Sequence, residues 1–192
     1  TTAIPFVNAR PHLGFALELC IADALARHAR ARGKRVRFTT GTDDHSLKNV
    51  LAAERAGVET RDYVDEQSNR FLQLGAALGV SADVIVQTSR FSAHAPAVYA
   101  LWKACAERGD LYRKAYRGLY CVGCERFADS DETRCSEHDA PLEVVEEQNW
   151  FFRLSRYRDR VRQGIESGEL AIEPAGAREE ARAFLREPLR DL

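Results

Sequence analysis

Two periods alternate along the first hundred residues. TTAIPFVN (1–8), RVRFTTGTDD (35–44) and DVIVQTS (83–89) are short apolar runs that lead into polar loops, and each predicts a buried strand. Between them the spacing becomes helical. Leu17, Cys20, Ile21, Ala24, Leu25 and His28 recur at three and four, which predicts a helix over about residues 13–32 with that face inward and Gly33 as its stop. Residues 46–57 predict a helix capped by Ser46 and closed by Gly57. Residues 60–79 predict another, with Tyr63, Val64, Phe71, Leu74 and Leu78 inward, and residues 96–107 a fourth. Strand and helix thus alternate over 1–110, the pattern of a parallel α/β sheet.

The pattern changes at about residue 111. LYRKAYRGLYCVGCERF (111–127) is aromatic and reads as short strands, and ADSDETRCSEHDAP (128–141) is polar without a period. Order returns at LEVVEEQNWFFRL (142–154), followed by a charged helix from Ser155 to about Ser167 and a last helix from Ala177 to about Arg186. The tail runs to Leu192 with no predicted element that closes a sheet. Three segments follow: 1–110, 111–155 and 156–192.

Composition narrows the class. The chain has 192 residues, 45% hydrophobic and 30% charged, an ordinary soluble balance. No apolar run approaches the ~18 residues of a membrane span, and no charged-then-apolar leader is visible, so a cytoplasmic protein without membrane contact is expected. A formal charge of −1 argues against a protein coated in positive potential, while leaving a local basic face open. Five cysteines, an odd count, favour free thiols or a metal over a disulfide scaffold.

Candidate chemistry begins in the first strand–helix elbow, PFVNARPHLGFALEL (5–19). At the carboxyl ends of parallel strands a helix N-terminus offers unpaired N–H groups and partial positive charge, suited to a phosphate. Gly14 lets a nucleotide approach the backbone, His12 can donate to a phosphate or ribose oxygen, and Pro11 fixes the turn. A tight turn with a solvated His12 explains the same residues. The second strand ends in TGTDDH, which sets Asp43, Asp44 and His45 at the same sheet edge, where carboxylates can hold an ammonium group, a ribose or magnesium. An acidic pair that only complements a helix dipole is the alternative.

Cys121-x2-Cys124, ten residues, then Cys135-x2-His138 has the spacing of two ligand pairs for tetrahedral zinc. The polar loop between them buries too little apolar area to fold alone, so a metal would supply its stability. Four protein ligands leave no open position, which makes the zinc structural. A redox Cys-x-x-Cys is the rival reading, but such a pair normally opens a helix, and it leaves His138 unexplained.

These motifs together resemble a known family. TTAIPFVNARPHLGF resembles the opening of bacterial methionyl-tRNA synthetases, with HLGF (12–15) at the place of the class I HIGH signature. FTTGTDDHS (38–46) resembles their FLTGTDEHG, and GLYCVGCERF, CSEHDAP, NWFFRLSRY and EPLRDL match in the same order. The resemblance covers essentially the whole chain. It implies a class I Rossmann-like parallel sheet, incomplete here, interrupted by a small zinc-binding connective insertion over about 111–155. The implied reaction is activation of methionine, or another amino acid, with ATP and Mg to its adenylate, then transfer to tRNA.

Residue by residue, Ala3, Ile4, Pro5 and Phe6 match the strand end bordering the amino-acid pocket, with Phe6 where the family usually has tyrosine. Asp43 matches the acid that receives the substrate's α-ammonium, and His45 lies beside it. His12 and Gly14 match the first histidine and the glycine of the nucleotide signature. Phe15 replaces its second histidine, and losing such a donor typically costs ~2–4 kcal/mol in transition-state binding. On this reading Phe15→His is expected to raise ATP affinity or exchange rate. Ser46 replaces a glycine.

The family continues beyond this point into the other half of the Rossmann fold with its KMSKS loop. Three readings follow. The chain is the first part of a methionine–tRNA ligase, completed by a C-terminal half that another chain can supply. Alternatively it is a paralogue outside translation that forms or binds an aminoacyl-adenylate. Lastly, it is a non-catalytic zinc and RNA-binding module, in which Arg153, Arg156, Arg158, Arg160 and Arg162 meet phosphates. These arginines fall around a helix rather than along one side, as in a solvated charged helix.

Overall fold

Thr39–Thr42 (β1) and Val84–Gln87 (β2) pair in parallel, Gly41 opposite Val86. A Cβ on Gly41 would lie 1.9 Å from the Val86 carbonyl oxygen, so this register requires glycine. Parallel strands need a long crossover, and two helices supply it, Leu47–Ala56 and Thr60–Ala77. With the first helix, Leu13–Ala31, these are α1, α2 and α3 in chain order. The computed structural model describes residues 1–192 other than 125, 128–132, 136 and 138. It divides into two units, Thr1–Val98 and Tyr99–Leu192, with the boundary inside α4 (His94–Glu107).

In the first unit the N-terminal run is not a full strand. It lies beside β1 through Thr2 N–H to the Thr39 carbonyl (3.2 Å), Asp43 N–H to the Pro5 carbonyl (2.8 Å) and a parallel bridge between Phe6 and Asp43. Pro5 has no N–H to give, which interrupts the ladder.

The inward face of α1 also differs from the prediction. Phe15, Leu19, Asp23 and Ala26 are buried, whereas Leu17, Ile21 and Leu25 are 62, 53 and 65% exposed and Cys20 is exposed too. Two stripes at helical spacing compete on this helix, and an acid disguises the one that is buried. Asp23 accepts the Ser81 N–H (2.7 Å) and hydroxyl (2.5 Å) and pairs with Arg27 at 2.6 Å. These donors hold its carboxyl down at about 2, the Ser81 hydroxyl contributing most. Across the same seam Arg30 bonds Ser81 and Asp83, and Asp83 also accepts the Phe38 N–H.

The core of this unit gathers Val7, Phe15, Leu19, Val64 and Phe71. Of the residues expected inward on α3, Val64 and Phe71 are buried, while Leu78 is exposed at the helix end. The Ser46 hydroxyl caps α2 by accepting the Lys48 N–H at 3.1 Å, and Gly57 ends it with φ 67°.

In the second unit the aromatic segment forms one long strand rather than several short ones. Leu111–Cys121 (β3) pairs antiparallel with Glu143–Phe152 (β5), from Leu111 opposite Phe152 to Tyr120 opposite Glu143, and with the two-residue Arg126–Phe127 (β4) on its other side. A 3-10 turn (Leu154–Tyr157) leads into α5 (Arg158–Ser167), and α6 is Ala175–Phe184. The ribbon's root is held by polar contacts. Buried Asp110 accepts the Tyr157 hydroxyl at 2.5 Å and Arg156 at 3.2 Å, and Asp191 accepts the Tyr112 hydroxyl and the Ser155 N–H and hydroxyl. The tail does close a ladder: Leu192 N–H reaches the Phe152 carbonyl and Phe152 N–H returns to Leu192. Four of the five arginines proposed for phosphates have partners inside the chain, Arg162 through an ion pair with Asp159 at 3.8 Å. Arg153 and Arg156 bond the Gly109 carbonyl, and Arg158 bonds the carbonyls of Leu185 and Arg186. Among the described residues no helix is long and apolar enough to cross a membrane.

Candidate active site

The elbow is built around His12. It is the N-cap of α1, extended at φ −114° and ψ 171°, and its Nδ1 accepts the Gly14 N–H at 3.0 Å. In the neutral ring that bond places the proton on Nε2 of an exposed side chain. The same contact explains Gly14. A Cβ there would sit 2.8 Å from His12 Cε1 and 3.0 Å from Nδ1, so the ring can fold over the helix start only if residue 14 has no side chain.

Phe15 points the other way. It is 6% exposed and meets Phe71 edge-on, ring centroids 5.3 Å apart. Beneath it lies an apolar cavity of about 180 Å3 whose lining includes Phe15, Leu19, Gly41, Phe71 and Ile85, with none of His12, Asp43 or His45. The HLGF segment is therefore split: His12 and Gly14 shape the outer surface of the elbow, and Phe15 fixes the helix from within.

The adjacent edge is formed by Ala3–Phe6 and the loop after β1. Ala3 and Ile4 are exposed, Pro5 and Phe6 half-buried. Ala3 N–H donates to Glu18 on α1 at 2.6 Å, and the Lys48 ammonium stands 4.9 Å from the centre of the Phe6 ring. The Phe6–Asp43 bridge joins this segment to the acidic loop, and the Tyr63 hydroxyl donates to the Asn8 carbonyl at 3.0 Å, fastening α3 to the elbow's approach.

Asp43 and Asp44, adjacent in sequence, have opposite surroundings. Asp44 is 7% exposed, and its carboxylate accepts the hydroxyls of Thr42 (2.9 Å), Ser68 (2.9 Å) and Ser89 (2.6 Å) and the Ser89 N–H (3.1 Å). It ties the ends of β1 and β2 to α3. Asp43 is half-buried, and its Oδ1 accepts the local His45 N–H at 3.1 Å. Asn49, fully buried on α2, donates Nδ2 to the carbonyls of Asp44 (3.0 Å) and Asp43 (3.3 Å). Its Oδ1 has no hydrogen-bond partner among the described residues, a loss worth about 1–3 kcal/mol. Sequence reasoning missed Asn49 because a polar residue at an inward helical position breaks the apolar pattern instead of marking it.

In the second unit, Cys121, Cys124 and Cys135 bring their three sulfurs within 4.8 Å of one another. Tetrahedral zinc at a Zn–S bond of about 2.3 Å sets sulfurs about 3.8 Å apart, so this donor set fits the ion. Burial, reinforced by the neighbouring thiols, pushes the Cys124 thiol up to about 12. A thiol held this high becomes a thiolate only with a cation beside it. The fourth expected ligand, His138, lies outside the described residues.

A histidine-capped helix start and an acid at the adjoining strand end, on a parallel α/β scaffold, define a class I synthetase fold. Residues 1–136 match the family described as tRNA synthetases class I (M), and the chain belongs to that family. It is similar over its whole length to methionine–tRNA ligases: 37% identical to that of Brucella suis biovar 1 and 37% to that of Thermotoga maritima. It spans 38% of the first of these relatives and 32% of the second. Among solved structures it superposes on Mycobacterium tuberculosis methionyl-tRNA synthetase in complex with methionyl-adenylate, with a TM-score of 0.91 and 37% identity, covering all of this chain and 39% of that one.

Proposed function

We propose that this chain forms the nucleotide- and amino-acid-facing part of a methionine–tRNA ligase catalytic domain. The observation that carries the reading is the pairing of the His12 cap with Gly14, together with an Asp43 bridged to Phe6. In this reading His12 Nε2–H and the positive end of α1 hold phosphate oxygens of ATP, brought with Mg. Asp43 takes the α-ammonium of methionine, Ala3, Ile4, Pro5 and Phe6 border the amino acid, and His45 flanks the acid. Phe15 keeps the helix start in place from the core side. The methionine carboxylate attacks the α-phosphorus and pyrophosphate leaves; a ribose hydroxyl at the end of tRNA then attacks the acyl carbon and AMP leaves.

Zinc would be held by Cys121, Cys124 and Cys135 with His138 as fourth ligand, where it supplies cross-linking rather than chemistry. The remaining part of the sheet comes from further polypeptide, in the same or another chain, and the protein works in the cytoplasm.

Phe6 beneath Lys48 and Ser46 at the cap of α2, standing where the family has tyrosine and glycine, favour a second reading, a synthetase paralogue outside translation that activates a different amino acid. One experiment separates the two: ATP–pyrophosphate exchange with methionine and with a panel of other amino acids, with and without a polypeptide carrying the missing half. Methionine-dependent exchange supports the first reading and exchange with another amino acid the second. Exchange with none under either condition overturns both.

A further inference from the structure

We propose that Asn49 is a positioning residue that aims the Asp43 carboxylate at the ammonium group of the ligand; this rests on the role given to Asp43 above. A carboxamide has two N–H bonds, and Asn49 commits them to the carbonyls of residues 43 and 44. The orientation of the amide follows from those contacts, since the reversed group would set Oδ1 against two carbonyl oxygens. In the observed orientation Oδ1 is left without a partner among the described residues although Asn49 is 0% exposed. A side chain selected for packing alone would be apolar at this position and would avoid that loss.

The two donors act on a backbone already restrained elsewhere. Asp43 N–H is bonded to Pro5, and Asp44 N–H to the Thr88 hydroxyl at 2.8 Å. Asp44 is anchored below by three hydroxyls. Asn49 closes the remaining side by holding both carbonyls, so the peptide between Asp43 and Asp44 is fixed at each polar atom, and the Asp43 carboxylate, with Oδ1 on the His45 N–H, is carried on it. A carboxylate carried on a fixed peptide binds a cation without first having to be ordered.

The test uses whichever form of the protein catalyses the exchange reaction; if none does, the functional reading has failed and this inference with it. Two non-hydrolysable methionyl-adenylate analogues, one with and one without the α-amino group, are titrated into native protein and Asn49→Leu by calorimetry, with ATP as control. Native protein is expected to prefer the amino-bearing analogue by about tenfold or more, the scale of one charge-assisted hydrogen bond. In Asn49→Leu that preference should collapse to less than about threefold, with ATP and des-amino affinities unchanged. A full preference retained in the variant overturns the inference and leaves the functional reading intact. A native protein that does not distinguish the analogues overturns both. Should the variant not fold, the Asn49 side-chain amide signal of nitrogen-15-labelled native protein is followed instead. It should move with the amino-bearing analogue and not with the other; a signal that answers both alike overturns the inference.

Discussion

Phe15 meets Phe71 edge-on with ring centroids 5.3 Å apart, inside the core rather than at the surface where a nucleotide would lie. This contact reverses the outcome expected from sequence for Phe15→His. An imidazole there would bury two polar nitrogens against Phe71, Leu19 and Val64, at a cost of about 1–3 kcal/mol. The variant is expected to lose that much stability by urea denaturation and to gain no ATP affinity by calorimetry. A gain in affinity with unchanged stability would mean that the side chain at position 15 reaches the outer surface.

Gly14→Ala separates folding from binding. Alanine favours a helix over glycine by about 1 kcal/mol, while displacing His12 from its cap costs about 0.5–2 kcal/mol. The melting temperature should therefore change little. The His12 ring, driven off by the new Cβ at 2.8 Å, should no longer hold phosphate, and ATP binding should fall about tenfold or more. Unchanged ATP binding would show that the His12 geometry does not serve the nucleotide.

Adjacent acids should respond in opposite ways. Asp44→Ala removes the acceptor of three hydroxyls and one N–H and is expected to destabilise the protein by about 2–4 kcal/mol. Asp43→Asn should alter stability by less than about 0.5 kcal/mol and abolish amino-acid-dependent exchange. Denaturation curves and exchange rates measured on both variants check the pair.

Asp23 gives the first unit a pH dependence. Its folded value, about 2, lies below the ordinary 3.8 because Ser81 and Arg27 favour the charged form. A depressed carboxyl contributes stability that is fully present above about pH 4 and is lost as pH falls toward 2. Denaturation midpoints should decline over that window in native protein and decline less in Asp23→Asn, which should be weaker at neutral pH.

Elemental analysis should find one zinc per chain. Cys121→Ser should expose the segment from 111 to 142 to proteolysis while the Thr1–Val98 unit keeps its melting transition. A metal-free protein with an equally resistant insertion would refute the ligand assignment.

By itself the sequence determined the alternation of strand and helix, the caps at Ser46 and Gly57, the elbow at His12 and Gly14, and the cysteine spacing. Each depends on chemistry within a few residues: periodicity, a cap's reach, a ligand pair on one turn. The tertiary structure decided which stripe of α1 is buried, that Phe15 faces Phe71, that Asp44 turns inward while Asp43 does not, and that Asn49 joins them. Those outcomes depend on partners such as Ser81, Ser68 and Ser89, distant in the chain, whose hydroxyls make an acid at home in the interior. A pattern of apolar and polar letters carries no record of such partners, because it scores a buried carboxylate as surface wherever its donors come from another part of the fold.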